Sequence, residues 1–331
     1  MMSLPVTVAG VGAYLPPRRV TGTELEERLG LPSGWIVRRT GVRERRWNTG
    51  ETAVEMAARA IREALERAGT GLADVDAFVG ASSGPQQLIP CNAALVQREL
   101  GAPEGRSACF DINATCLSFL AALQQTAHLV AAGVYRKAVV FSTEIASRSL
   151  NPSQKESYVL FGDGAAAAVL TRTAPGTPGA VHLSRLETHS SGADHTRFLG
   201  AGSLHHPNDP TTTAAMNLFD MDGPAVFRQG ARLIGPFLDR FLEDAGWRRE
   251  CVDAVVPHQA SGHALDLLTS RLGFSEAQVV RDIAERGNVI AASIPLALHA
   301  ALAAGRVRRG DRVLLLGTGA GLTLGAVALT W

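Results

Sequence analysis

Three residues, Cys116, His258 and Asn288, have the side-chain types needed for nucleophilic chemistry at a carbonyl group. A cysteine thiolate attacks carbonyl carbons, and a neutral imidazole and an amide N–H can donate hydrogen bonds to the oxyanion that forms. A thiol on the first turn of a helix is expected to have a lowered pKa, because the helix macrodipole is positive there. Taken alone, the segment favours the interpretation of Cys116 as a small buried core residue.

Residues 111–133, DINATCLSFLAALQQTAHLVAAG, form the segment that must position Cys116. Apolar residues recur at helical spacing after the cysteine, and Gly133 is typical of a helix end. Asn113 and Thr115 are predicted cap residues, because their side chains can accept from free N–H groups of the first turn. Since the segment is apolar on most faces, we expect this helix to lie inside a domain.

The composition is that of a globular protein. The 331 residues leave room for two domains, and 46% of them are hydrophobic. The 32 basic and 31 acidic residues give a net charge of +1, which argues against general attraction to nucleic acid or to a membrane surface. No apolar run approaches the roughly 18 residues that span a bilayer.

The cysteine pattern and the N-terminus bear on the cellular compartment. No pair among Cys91, Cys109, Cys116 and Cys251 has metal-ligand spacing, so we expect no metal site and no disulfide framework. Such usage is typical of a reducing compartment. The N-terminal segment MMSLPVTVAGVGAYLPP lacks the basic n-region and cleavage site of a signal peptide. We therefore expect a soluble, cytoplasmic protein.

The chain contains an internal repeat, which predicts its organisation. Three pairs of segments match in the same order: 65–79 with 242–256, 129–141 with 301–316, and 161–170 with 317–329. The first pair, LERAGTGLADVDAFV and LEDAGWRRECVDAVV, aligns without a gap at an offset of 242 − 65 = 177. The repeat predicts two similar α/β halves, residues 1–172 and 173–331, each with parallel strands covered by helices.

The repeat also predicts where the three candidate residues meet. Gly133 lies 133 − 116 = 17 residues after Cys116, and Gly305 lies 305 − 288 = 17 residues after Asn288, so Asn288 is the predicted counterpart of Cys116. His258 directly follows a buried strand, where ligand sites of α/β sheets gather. We expect it near both helix starts. The alternative for Asn288 is an ordinary helix N-cap.

A tryptophan followed by basic residues forms a second candidate site. Trp35 precedes five arginines: Arg38, Arg39, Arg43, Arg45 and Arg46. Such a run is either a solvated face or, with the indole beside it, a binding site for an aromatic, phosphorylated ligand.

Six motifs in this order resemble the β-ketoacyl-acyl-carrier-protein synthase III family, the priming condensing enzymes of the thiolase superfamily. They are GWIVRRTGVRERR, DINATC, FGDGAAAAVL, VVPHQA, RGN followed by AAS, and GAGLTLG. The resemblance covers nearly the whole chain. It implies an α/β, thiolase-like fold in which two duplicated βαβαβαββ-type halves form five layers (αβαβα), and it implies a homodimer.

The resemblance also implies roles for the candidate catalytic residues. Cys116 would accept an acyl group from acyl-CoA, and the backbone N–H groups of Cys116 and Ala320 would form the oxyanion hole. His258 and Asn288 would bind the thioester carbonyl of a malonyl unit and stabilise the enolate that forms on decarboxylation. Coenzyme A enters as a thioester substrate, and no permanently bound cofactor is implied.

Further positions match residues that bind substrates in the family. Trp35 and Arg39 would hold the adenine end of coenzyme A, and Arg228 and Arg271 would dock an acidic acyl carrier protein. Ile89 lies where a residue of the partner subunit closes the acyl pocket.

Several positions depart from the family pattern. Pro224 stands in the tunnel for coenzyme A, and Val289 and Ile290 replace a Thr-Ser pair. Residues 190–216 form a longer loop, rich in glycine, proline and histidine, than the family has at this place. The departures affect substrate handling and leave Cys116, His258 and Asn288 in place.

The implied reaction is a ping-pong, decarboxylative Claisen condensation that gives a β-ketoacyl thioester, as in fatty-acid or polyketide initiation. One alternative is a relative from secondary metabolism that transfers the acyl group to a hydroxyl or amine, or condenses two acyl chains without decarboxylation. Another is a non-catalytic partner subunit, against which Cys116 argues. A papain-like hydrolase has the same Cys, His, Asn order, but its local cysteine signature is absent here.

Overall fold

A computed structural model describes residues 3–331 as two stacked sheets with helices between and outside them. The strands are β1 (Val6–Tyr14), β2 (Arg18–Thr21), β3 (Glu44–Trp47), β4 (Ala77–Gly80), β5 (Ala108–Asp111), β6 (Lys137–Glu144), β7 (Gly164–Arg172), β8 (Ala180–Thr188), β9 (Thr196–Arg197), β10 (Asp220–Met221), β11 (Ala254–Pro257), β12 (Arg312–Gly319) and β13 (Thr323–Thr330). The helices are α1 (Gly22–Leu29), α2 (Trp35–Thr40), α3 (Ala53–Arg67), α4 (Asn92–Leu100), α5 (Ser118–Ala131), α6 (Lys155–Tyr158), α7 (Gly223–Ala245), α8 (Gly262–Ser270), α9 (Ile283–Arg286) and α10 (Ser293–Ala303).

The two large sheets have the same strand order in the two halves of the chain. The first sheet runs β1-β7-β6-β4-β5, and the second runs β8-β13-β12-β11. The counterpart of β5 is reduced to a single parallel bridge between Val255 and Val279. All strands of the first sheet lie within 6–172 and those of the second within 180–330.

Helices α5 and α10 form the central layer between the sheets. Their apolar residues share one core with residues of both sheets, among them Val79 and Leu315. Helices α3 and α4 cover the outer face of the first sheet, and α7 and α8 cover that of the second. The five layers are those of the thiolase fold that the sequence predicts. The apolar segment after Cys116 is buried in the middle of the molecule, as expected.

Both sheets are mixed, whereas the internal repeat predicts parallel strands. β4 pairs in parallel with β5 and β6, but β7 runs antiparallel to both β6 and β1. The second sheet repeats this pattern around β13. β12 and β13 are joined by residues 320–322, a connection too short for the crossover that parallel strands require.

Several properties of the described residues concern compartment and metal binding. All four cysteines are free thiols. Within 3–331, no helix is long and apolar enough to cross a membrane. The same residues contain no group of three or more His, Cys, Asp or Glu side chains able to hold a metal ion.

Candidate active site

Cys116 lies in a single 3-10 turn, Thr115–Leu117, just before α5. Thr115 has φ 53°, a left-handed conformation that is uncommon for a β-branched residue. Asn113 stabilises the turn, because its Oδ1 accepts the Thr115 N–H at 2.8 Å. Asn113 therefore accepts from an N–H group of the turn, but Ala114, and neither Asn113 nor Thr115, is the N-cap residue that the prediction places there. The Thr115 hydroxyl donates to the Ala114 carbonyl instead.

The second half contains the same turn ahead of α10. Ile290 has φ 46°, and its N–H donates to Asn288 Oδ1 at 2.8 Å. Asn288 thus does in the second half what Asn113 does in the first, at an offset of 288 − 113 = 175. At that offset the counterpart of Cys116 is Ala291, since 116 + 175 = 291.

The predicted pairing of Asn288 with Cys116 is therefore wrong by three residues. The prediction counts back from Gly133 and Gly305 and assumes that the two helices are equally long. α5 has 14 residues and α10 has 11, and the difference, 14 − 11 = 3, is the size of the error. Asn288 is a turn-shaping residue, comparable to Asn113, that also lines the site.

Cys116, His258 and Asn288 line one cavity of about 670 Å³, which confirms that the fold gathers them. The turns before α5 and α10 pack against each other. Gly317 of β12 lies where a Cβ atom would come within 2.8 Å of the His258 Cβ, so only glycine fits beside the histidine. Asn288 Nδ2 donates to the carbonyl of Ala260, two residues after His258, at 3.3 Å.

His258 is held at the end of β11 in its neutral form. The backbone N–H of His258 donates to the Leu316 carbonyl at 2.8 Å, and only 6% of the residue is exposed. Burial lowers the pKa of His258 to about 4, so the imidazole is uncharged near pH 7. A neutral imidazole donates from one nitrogen and accepts at the other, which suits a site that must polarise a carbonyl oxygen.

The Cys116 thiol is protonated at rest, which corrects the expectation of a lowered pKa. Burial, followed by the charge of Glu144, raises the pKa of Cys116 to about 12. Hydrogen bonds from the backbone N–H groups of Ala320 and Cys116 itself act in the opposite direction. The helix dipole cannot dominate, because regular helix begins only at Ser118 and the dipole effect is confined to the first turn.

The same two N–H groups are the predicted oxyanion-hole donors. Ala320 belongs to the short connection between β12 and β13, and its N–H approaches the Cys116 sulfur. Thr115 Oγ1 lies 3.3 Å from the Ala320 carbonyl oxygen, which fixes the connection beside the Cys116 turn. Donors from both halves of the fold therefore converge on the reactive sulfur.

Arg39 reaches the edge of the catalytic cavity, and Trp35 lies beside it. The Arg39 guanidinium is 5.9 Å from the centroid of the Trp35 ring, and Arg39 lines the cavity. The five arginines after Trp35 do not form a single solvated face. Arg45 is fully buried and donates to the carbonyls of Val20 and Val159, and burial lowers its pKa to about 10.

Of the three remaining residues predicted to contact substrates, only Arg271 lines the catalytic cavity. Arg271 lines the catalytic cavity and is exposed, whereas Arg228 is exposed on α7 outside the cavity wall. Ile89 is 83% exposed and lines neither of the two cavities described for its own chain.

Family models match both halves of the chain. Residues 110–190 match the model described as 3-oxoacyl-[acyl-carrier-protein] synthase III, and residues 242–331 match its C-terminal model. The β-ketoacyl-[acyl-carrier-protein] synthase III of Symbiobacterium thermophilum is 37% identical over 329 residues, which cover 99% of this chain and 98% of that protein. The chain belongs to the 3-oxoacyl-[acyl-carrier-protein] synthase III family. It is an acyltransferase with a thiolase fold.

Solved structures of the synthase III family superpose on the whole chain. The 3-oxoacyl-(acyl carrier protein) synthase III of Pseudomonas aeruginosa has a TM-score of 0.89 and 34% identity, covering 99% of this chain and 98% of that one. The priming β-ketosynthase of the R1128 polyketide pathway has a TM-score of 0.88 and 31% identity, covering 98% and 96%.

Sequence reasoning missed a second cavity beside the synthase III site. It has a volume of about 370 Å³ and shares Phe161, Phe219 and Ile290 with the catalytic cavity. Glu144, at the end of β6, lies in its wall and is 4% exposed. The available signal was a single carboxylate at the end of the strand KAVVFSTE, which has an apolar centre.

The long loop of residues 190–216 contributes to both cavities. It contains β9, which pairs with β10 just beyond it. Thr196 lines the catalytic cavity and Phe198 lines the second one. Phe198 and Phe219 lie 5.6 Å apart between ring centroids, so the loop forms an aromatic wall over the second cavity.

Proposed function

We propose that this synthase III family member primes chain synthesis by condensing an acyl group with a malonyl thioester. Cys116 accepts the acyl group from acyl-CoA, and a malonyl unit on an acyl carrier protein is the second substrate. The observation that carries the proposal is the single cavity that holds the thiol, a neutral imidazole and a primary amide beside two converging N–H donors.

The first half-reaction loads the enzyme. The Cys116 thiol gives its proton to solvent as the sulfur attacks the thioester carbonyl of acyl-CoA, and a tetrahedral oxyanion forms; the departing coenzyme A thiolate later takes a proton back from solvent. The N–H groups of Cys116 and Ala320 stabilise this oxyanion. Collapse breaks the bond to the coenzyme A sulfur, coenzyme A leaves as the thiol, and the acyl group remains on Cys116.

The second half-reaction forms the carbon–carbon bond. His258 Nε2 and Asn288 Nδ2 donate to the thioester oxygen of the malonyl unit, which stabilises the enolate left when the carboxylate departs as CO₂. The enolate carbon attacks the acyl carbonyl, and Cys116 leaves as the thiolate and is reprotonated. A neutral His258 suits this step, because it donates a hydrogen bond without a charge that must be solvated.

Product analysis tests the reaction type. We incubate the protein with an acyl-CoA and malonyl-carrier protein and follow CO₂ release together with the mass of the carrier. The proposal expects CO₂ and a β-ketoacyl-carrier in equal amounts. Acylation of Cys116 without CO₂ release would favour transfer to a hydroxyl or amine, or condensation of two acyl chains.

Separate basic residues serve the two substrates in this proposal. Arg39 and Trp35 hold the adenine end of coenzyme A, and Arg271 and Arg228 attract the acidic carrier protein. Replacing Arg39 with alanine is expected to raise KM for acyl-CoA about two- to fivefold, the equivalent of roughly 0.5–1 kcal/mol, with KM for malonyl-carrier unchanged.

Arg271→Glu is the reciprocal variant. It is expected to raise KM for malonyl-carrier at low salt and to leave KM for acyl-CoA unchanged, because reversing a rim charge mainly slows association. Steady-state kinetics at two ionic strengths measure both variants, with Arg98→Ala on α4 as a distant control. If Arg39→Ala raised KM for acyl-CoA and KM for malonyl-carrier equally, the assignment of Arg39 to coenzyme A alone would be contradicted.

We further propose a cytoplasmic homodimer. β5 is an edge strand of the first sheet. In the neighbouring loop, Leu88 is 74% exposed and Ile89 is 83% exposed. Exposed apolar side chains next to an open strand edge suit an interface. In such a dimer Ile89 closes the partner's acyl pocket. Four free thiols suit the reducing cytoplasm.

The dimer is tested by light scattering during size-exclusion chromatography. The 34.9 kDa chain is expected to elute with the mass of two copies. Leu88→Arg is expected to give the monomer, because a charge would be buried in the interface. Val134→Arg, at another exposed apolar residue, is the matched control. Elution of the unaltered chain as a monomer would contradict this part of the proposal.

A further inference from the structure

The second cavity is the duplicated counterpart of the catalytic cavity. Four of its lining positions have counterparts that line the catalytic cavity: Ser83 with Ala260, Thr143 with Thr318, Glu144 with Gly319, and Ile145 with Ala320. Ser83 and Ala260, which follow β4 and β11, lie 260 − 83 = 177 residues apart. The other three pairs, in or directly after β6 and β12, each have the offset 319 − 144 = 175, and both offsets occur elsewhere in the repeat. Glu144 therefore stands where the catalytic cavity has a glycine.

Gly319 shows what that position does in the second half. A Cβ atom on Gly319 would lie 3.0 Å from Thr115 Oγ1 and 3.3 Å from the Ala114 carbonyl oxygen, so this position packs directly on the Cys116 turn. Glu144 occupies the same place beside the other turn, because β6, which ends at Glu144, packs on Ile290–Ala292, the turn that contains Ala291, the counterpart of Cys116.

The Glu144 carboxylate also holds the turn that follows β4. The N–H and the hydroxyl of Ser83 both donate to it, each at 2.6 Å. The Ser83 carbonyl in turn accepts from Asn113 Nδ2 at 3.0 Å, and Asn113 shapes the turn that carries Cys116. One buried carboxylate thus connects the nucleophile's turn to the turn of the second half.

The charge of Glu144 acts on the nucleophile. Burial raises the pKa of Glu144 to about 7, against hydrogen bonds from Ser83 and Ala291 that lower it. The ionised carboxylate is the second cause, after burial, that raises the pKa of Cys116. The other charged groups on this side are Asp163, ahead of β7, and Arg148, in the cavity wall.

We propose that Glu144 is a positioning residue: its carboxylate, held by Ser83, supports the turn that carries Cys116 from behind, and its negative charge opposes formation of the Cys116 thiolate. A protonated thiol reacts slowly with oxidants and alkylating agents, because the thiolate is the reactive form. The inference rests on Cys116 as the acyl-accepting residue, but it is tested on the thiol itself, without substrate.

The test measures alkylation of Cys116 by iodoacetamide, at the peptide level, from about pH 5.5 to about 9 in the unaltered chain and in Glu144→Gln. Glutamine keeps the size of the side chain, can accept the Ser83 N–H and can donate to the Ser83 hydroxyl. Below the pKa of Glu144 both proteins carry a neutral group and are expected to react equally fast. Above it, Glu144→Gln is expected to react up to about tenfold faster, the equivalent of roughly one pKa unit.

A second variant keeps the test independent of how well glutamine is tolerated. Ser83→Ala removes a hydrogen bond that favours the charged carboxylate, so the pKa of Glu144 is expected to rise. The pH above which ionised Glu144 slows the alkylation of Cys116 is therefore expected to be higher in this variant than in the unaltered chain. Cys251, in the same molecules, is the internal control, with one profile in all proteins. A rate ratio that is constant with pH, or slower alkylation of Glu144→Gln above pH 7, overturns the inference. Failure of acyl-CoA to label Cys116 would instead count against the proposed function.

Discussion

Replacing Cys116 with serine is expected to remove acyl loading and to lower β-ketoacyl synthesis at least about 1,000-fold. A serine hydroxyl is a far weaker nucleophile than a thiol and has no base of matching strength beside it, since burial lowers the pKa of His258 to about 4. The cavity shape changes little, so substrate binding is expected to persist. Stopped reactions analysed by intact-protein mass spectrometry measure the loss of the adduct.

Cys251→Ser is the matched control for this prediction. Cys251 lies in the short turn before β11, does not line the catalytic cavity and is a free thiol like Cys116. Its replacement is expected to leave both the adduct and the turnover unchanged. An adduct that persists in Cys116→Ser, or that disappears in Cys251→Ser, would contradict the assignment of the nucleophile.

The second large effect is expected at Asn288, and it separates the two half-reactions. Asn288→Ala is expected to slow condensation about 100- to 1,000-fold, because one of two donors to the enolate oxygen is lost. Acyl loading is expected to continue, since the donors for that step are the backbone N–H groups of Cys116 and Ala320. Acyl-Cys116 should therefore accumulate when malonyl-carrier is present. Rapid-quench mass spectrometry follows its formation and decay.

Asn113 is the matched control residue for Asn288, because the two asparagines shape the same turn in the two halves. Each accepts the N–H two residues ahead at 2.8 Å and shapes the same left-handed turn, one in each half. Asn113→Ala is expected to slow loading, because it loosens the turn that carries Cys116. If Asn288→Ala also acted only by loosening a turn, both variants would slow loading alike, which would contradict its role as an enolate donor.

The sequence predicts the duplication, the two sheets and the central pair of helices, because one pair of motifs aligns without a gap and two further pairs follow in the same order. β4 and β11 begin 254 − 77 = 177 residues apart, the offset read from the sequence. The register of Asn288 could not be obtained by counting, since α10 is three residues shorter than α5 and the flanking motifs do not show the difference.

The electrostatics of the site depend on burial, which a linear sequence does not reveal. A helix start suggests an acidic thiol, whereas in the structure the burial of the Cys116 sulfur and the nearby charge of Glu144 both raise its pKa. Glu144 itself gives little signal, because a carboxylate at a strand end is ordinary until its partners Ser83 and Ala291 are known. Local motifs identify the reacting groups, and only packing sets their protonation states.

A two-step mass measurement on Cys116 tests directly whether this residue carries the acyl group from acyl-CoA to the malonyl unit. The protein is first mixed with an excess of acyl-CoA, the coenzyme is removed, and malonyl-carrier protein is then added. We expect one acyl group per chain on the Cys116 peptide, and then its disappearance with the release of equal amounts of CO₂ and β-ketoacyl-carrier. An acyl group on another residue, or an acyl-Cys116 that malonyl-carrier never discharges, would contradict it.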